Sequence, residues 1–163
     1  MTQKEKEERI ADFEDTLFYW QNVGISQFLV QAASKGYTMS QSYTPEDIAE
    51  FERYVLTEKV SHTNDEEEKL EEFVACYFYL GQLFKRNYGG QWQLSLTSEQ
   101  SANFNRPVIV DYQSATEGLE FNPRQRLTAL ILGRLKQGLK YNLDLTAGAI
   151  TKESAVKNLP LED

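Results

Sequence analysis

Residues 65–92, DEEEKLEEFVACYFYLGQLFKRNYGGQW, decide the fold. The stretch opens on acids and closes on Lys85 and Arg86, the order that complements a helix dipole. Between them, Phe73 to Gly81 is apolar or aromatic at every position. A helix that is greasy all round belongs in the middle of a domain. Gly89-Gly90 stops it, and the period then changes to two: Trp92, Leu94 and Leu96 alternate with Gln91, Gln93 and Ser95, the pattern of a half-buried strand.

Working forward, a polar loop leads to Pro107 and the strand Val108–Tyr112, with proline where a strand start tolerates it. Leu119-Glu120-Phe121 offers a short third strand. Asn122-Pro123 then caps a helix over 122–140, with Leu127, Leu130, Ile131 and Leu135 inward and Gly138 at its end. Residues 141–163 read as a tail with room for one short helix.

Working backward, Thr63 and Glu66 are placed for a capping box at the start of the central helix. Thr44-Pro45-Glu46-Asp47 starts the helix before it, which buries Ile48, Phe51, Val55 and Leu56 and runs out near Ser61-His62. From Lys4 to Lys35 only Gly24 interrupts a helical pattern. Ile10, Phe13, Leu17, Trp20, Gly24 and Phe28 form its apolar stripe, widened by Ile25, Leu29 and Ala32. Gly24 marks either a close contact or a bend. The expected fold is α+β: one helix-rich domain, with 1–88 mainly helical, a small antiparallel sheet of two or three strands in 89–121, a helix in 122–140 and a tail.

Composition narrows the function. Across 163 residues, nine Phe, nine Tyr and two Trp supply a core that a disordered chain would lack. The formal net charge of −8 disfavours wrapping around nucleic acid. The acidity is concentrated: residues 1–72 hold 17 acidic and 7 basic groups, while 73–163 hold 8 and 10. No segment approaches the roughly 20 apolar residues of a membrane span. The charged first residues lead into no signal-type apolar stretch, so the cytoplasm is the expected location.

Reactive side chains are scarce. One Cys and one His, Cys76 and His62, cannot assemble a zinc site. Cys76 falls within the apolar helix, where a thiol is inert, and His62 in a loop. No serine-nucleophile elbow, phosphate-binding glycine loop or EF-hand punctuation occurs. Asp111, Glu117 and Glu120 are the carboxylates to inspect for a paired-acid hydrolase. We therefore expect no cofactor, no metal and no catalytic centre.

Two charged clusters have a functional and a plain reading. Asp65, Glu66, Glu67, Glu68, Glu71 and Glu72 are a partner-binding face or a solvated helix start. Arg124, Arg126 and Arg134, with Lys136 and Lys140, are an anion or partner contact or a solvated helix face favoured by the dipole.

The run Tyr79–Trp92, helix then glycine pair then tryptophan-led strand, is similar to a pattern in small uncharacterised bacterial proteins. Some of these are grouped with the immunity proteins of polymorphic toxin systems. Pro107–Val110 and Phe121-Asn122-Pro123 look like the same arrangement, so the resemblance covers the central third to half of the chain. It implies a small cytoplasmic protein that occupies a toxin's active surface. The leading expectation is thus a non-catalytic protein-binding domain, of which a toxin-neutralising immunity protein is one form. The alternatives are an enzyme with an unfamiliar carboxylate or Arg site, and a helical adaptor or self-associating protein such as a homodimer.

Overall fold

The computed structural model describes residues 1–113 and 118–149. The chain runs α1 (Gln3–Tyr19), a π-helical turn (Trp20–Gly24), α2 (Ile25–Ser34), α3 (Pro45–Thr57), α4 (Glu67–Tyr88), β1 (Gln91–Leu94), β2 (Pro107–Val110), α5 (Pro123–Ile131) and α6 (Leu139–Thr146). The architecture is α+β and helix-rich, with a two-stranded antiparallel sheet in which Trp92 faces Ile109. Residues 150–163 of the expected tail lie outside the described residues.

The central helix is α4, as its composition demands. Phe78, Tyr79, Leu80, Leu83 and Phe84 are fully buried. Tyr79 sits among Phe28, Tyr43 and Phe51 and donates its hydroxyl to the Ser40 carbonyl at 2.8 Å, so its one polar atom is satisfied inside the core. Phe84 stacks on Phe121 with ring centroids 3.9 Å apart, which fastens α4 to the chain entering α5. Trp92 packs against Phe78 and donates its indole N–H to Gln82 Oε1 at 2.6 Å, which holds β1 against α4.

The first helical stretch is not one α-helix. Trp20–Gly24 widens to the π form, with the Ile25 N–H reaching back to the Trp20 carbonyl. Gly24 is a close contact within that wide turn: a Cβ there would lie 2.3 Å from Cε3 of Trp20. Trp20 itself stacks on Phe78 of α4. Along the expected apolar stripe Trp20, Gly24 and Phe28 are buried, whereas Phe13 and Leu17 are half-buried and Ile10 is exposed, for α1 contains no fully buried residue. The core ends beneath Trp20 and the half-buried Leu17, and α1 extends beyond it.

The other boundaries shift for local reasons. Helix α3 stops at Thr57, short of Ser61, because Lys59 takes a left-handed φ of 54° and the Val60 N–H folds back onto the Val55 carbonyl. Leu56, still within α3, faces solvent beside the buried Val55. The Thr63–Glu66 capping box does not form; Glu66 is the N-cap without a side-chain bond. Ser61 Oγ accepts from the Thr63 and Asn64 N–H groups, and Asn64 Oδ1 accepts from that of Glu66. Thr44 and Asp47 do form a reciprocal box at the start of α3. The third strand reduces to one bridge, Ile109 with Phe121.

The expected helix over 122–140 ends early, at Ile131, and a short helix, α6, begins at Leu139 and runs into the expected tail. Gly133 adopts φ +71° and the Arg134 N–H closes onto the Ala129 carbonyl, which ends α5. Gly138, expected at a helix end, instead precedes α6, whose first N–H, that of Leu139, is taken by Glu52 of α3. Arg126 ties the pair together: it donates to Asn142 and to Thr146 Oγ1 of α6.

Candidate functional site

The acid-rich start of α4 divides. Asp65, Glu66, Glu67, Glu68 and Glu71 face solvent. Glu72, one turn after Glu68, turns inward and accepts the Tyr54 hydroxyl at 2.7 Å. Burial, and then this bond to a carboxylate, pushes the Tyr54 phenol far up, so it stays a donor. Glu68, Glu71 and Glu72 line a cleft of about 420 Å³ between α2 and α4, together with Tyr19, Trp20 and Lys35. Five acids of the predicted face therefore share one exposed helix start, and the sixth holds α3 to α4.

On another side of α1, Ile10, Phe13 and Leu17 look across a groove of about 640 Å³ at Trp92, Leu94 and Leu96. The alternation in β1 puts its apolar side chains on this face, and the 3.6-residue period puts those of α1 opposite. Among the described residues no strand pairs with the outer edge of β1. Met1 closes one end of the arrangement: its ammonium group meets Glu99 at 2.9 Å. Ile10 is 40% exposed in the groove; outside it, Phe18 of α1 is 69% exposed and Val30 of α2 is 71% exposed. Along its whole length α1 carries six acidic and three basic residues, and the groove itself is lined by one of each sign, Lys6 and Glu14.

The sequence-predicted basic trio is dispersed. Arg126 is spent on the α5–α6 junction and lies 5.1 Å over the Phe121 ring. Arg134 is exposed in the turn after α5. Arg124, at the first turn of α5, sits 5.9 Å over the Phe73 ring and joins a pocket with His62 and Arg106. Arg106 escaped the sequence reading because it belongs to the polar loop before β2 and reaches α5 only through the folding of the sheet.

The reactive side chains stay apart from one another. Cys76 is fully buried, and burial pushes its thiol well up, whereas His62 lines the Arg106–Arg124 pocket. Asp111 is exposed and accepts from Gln91, while Glu120 accepts from Ser95 and Asn103. Glu117 lies outside the described residues. Among the described residues no group of three or more His, Cys, Asp and Glu side chains is disposed to hold a metal ion, and no helix is long and apolar enough to cross a membrane. No family model matches the chain, and no curated protein or solved structure is similar to it.

Proposed function

We propose that this chain is a non-catalytic protein-binding domain that takes a basic segment bearing apolar side chains into the groove between α1 and β1. The observation that carries the reading is that α1 fully buries none of its own residues yet presents Ile10, Phe13 and Leu17 to a lined, open groove. From Gln3 to Leu17 the groove follows about four helical turns, or about 21 Å. An amphipathic segment of similar length would cover it, as in helix-in-groove recognition.

Charge selects among occupants. A second copy of the chain would bring a second acidic α1 against the first, whereas a basic partner is attracted and steered. The exposed acids Asp65 to Glu71 lie beyond the Tyr19 end of α1 and extend the same negative field. Neutralising a toxin with a basic active surface is the particular form of this activity that we favour, on the support of that field.

The test is titration of the purified chain with the product of the neighbouring gene, followed by calorimetry and gel filtration. Binding should weaken with rising salt and fall at least tenfold in Ile10→Glu. A complex indifferent to both changes, no complex at all, or a homodimer that buries the groove would overturn the reading.

A further inference from the structure

We infer that Arg106 and Arg124 form a binding site for a small phosphate-type dianion. The two residues come from separate elements, the loop before β2 and the first turn of α5, and line one concave pocket of about 270 Å³ with His62, Phe73, Gln125 and Thr128. The inference is independent of the groove, which lies between α1 and β1.

Placing two guanidinium groups together costs Coulomb energy, and this chain has the means to avoid it, with 25 acidic residues against 17 basic. Among the described residues it pairs Arg53 with Glu50, Lys35 with Glu58, Lys69 with Glu72 and Lys140 with Asp144, and it leaves other basic side chains, Arg86 and Arg134 among them, without an ion pair. Among the described residues no carboxylate comes within ion-pair distance of Arg106 or Arg124. The two charges feel each other. Burial, and next the charge of Arg106, hold the Arg124 guanidinium below its ordinary range, and both arginines act on the Tyr77 phenol.

The surroundings fix Arg124 rather than neutralise it. Its guanidinium rests over Phe73 of α4, and its backbone is set by the cap in which Asn122 Oδ1 accepts the Gln125 N–H at 3.0 Å. The start of α5 borders the same pocket, with Asn122 and Gln125 among its lining residues. Planar guanidinium forks match the oxygens of a phosphate, and two of them match its two negative charges better than the single charge of a carboxylate. The pocket's size suits an ion or a phosphate monoester, with Phe73 as an apolar wall for the ester group.

Calorimetry at constant ionic strength tests the site, with inorganic phosphate and phosphoserine as probes and acetate as the monoanion control. Phosphate or its monoester should bind at least tenfold more tightly than acetate, and the ratio between the two probes separates a free ion from an ester ligand. Arg106→Gln and Arg124→Gln should each weaken binding about tenfold or more, while Arg134→Gln leaves it unchanged. In phosphate-free buffer Arg106→Gln should melt no lower than the parent, since it removes a repulsion. Equal loss in Arg134→Gln, no discrimination from acetate, absence of binding, or a lower melting point for Arg106→Gln without phosphate would overturn the assignment.

Discussion

The indole of Trp92 lies directly on Gly81, so that a Cβ at position 81 would fall 2.1 Å from Cη2 of the ring. The glycine in the middle of α4 is thus the seat for the residue that holds the sheet. Gly81→Ala gains about 1 kcal/mol of helix propensity. It also forces out a rigid ring that is packed on Phe78 and bonded to Gln82. Overpacking of this kind costs about 1–3 kcal/mol. Urea denaturation should show a net loss, and tryptophan fluorescence should shift as Trp92 leaves its place. An unchanged midpoint would show that the sheet is held by other contacts.

Tyr54→Phe removes the single hydrogen bond that Glu72 receives inside the α3–α4 contact, where its other carboxylate oxygen is buried without a hydrogen bond and has Lys69 Nζ 4.0 Å away. The expected loss is about 1–3 kcal/mol, the cost of leaving a buried polar group unsatisfied. Removing both groups together in Tyr54→Phe, Glu72→Met should recover part of it. Denaturation midpoints for the two single variants and the double variant measure the coupling.

Acid should loosen the junction between α2 and α3. The Tyr37 hydroxyl, then Lys35, hold the Glu58 carboxyl below its usual range, and Arg53 does the same for Glu50, which also accepts the Thr38 N–H. A depressed folded-state pKa contributes stability above the unfolded value of about 4.3 and loses it as pH falls through the folded value. The stability gap between the parent and Glu58→Gln should therefore be widest near neutrality and close below that range. Urea melts at several pH values will show whether it does.

The exposed arm should separate the proposed binding from folding. Ile10→Glu and Phe18→Ser should each alter stability by no more than about 0.5 kcal/mol, the usual range for surface changes. Trp20→Ala, which empties a buried site stacked on Phe78, should cost about 3–5 kcal/mol. Thermal melts of the three variants give the comparison. A large loss in Ile10→Glu would mean that α1 belongs to the folding core after all.

Much of the fold was legible because local chemistry and tertiary demand agreed. In α4 the charge order, the all-round apolar middle and the glycine pair point one way, and Thr44-Pro45 carries its own cap. The failures have a common cause. Spacing says which residues share a face of α1, but not whether anything covers it. Gly133 sits among residues that extend a helix, and only its left-handed turn ends α5. Thr63 lost its capping role because Asn64 Oδ1 accepts the Glu66 N–H that the Thr63 hydroxyl would have taken. Of the candidate sites, the acidic helix start could be read from adjacent residues. The pairing of Arg106 with Arg124 could not, since eighteen positions of chain and a sheet separate them.

The wide turn at Trp20–Gly24 holds one residue beyond what an α-helical turn requires. Each residue of an α-helix advances its azimuth by about 100°. That single insertion therefore sets which meridian of α1 looks at the strand. Deleting one codon within the turn would restore an unbroken helix, leave every apolar side chain of α1 in place, and swing Ile10, Phe13 and Leu17 away from Trp92 and Leu94. The geometry of the groove is encoded as a phase, in one extra residue outside the surface it aligns.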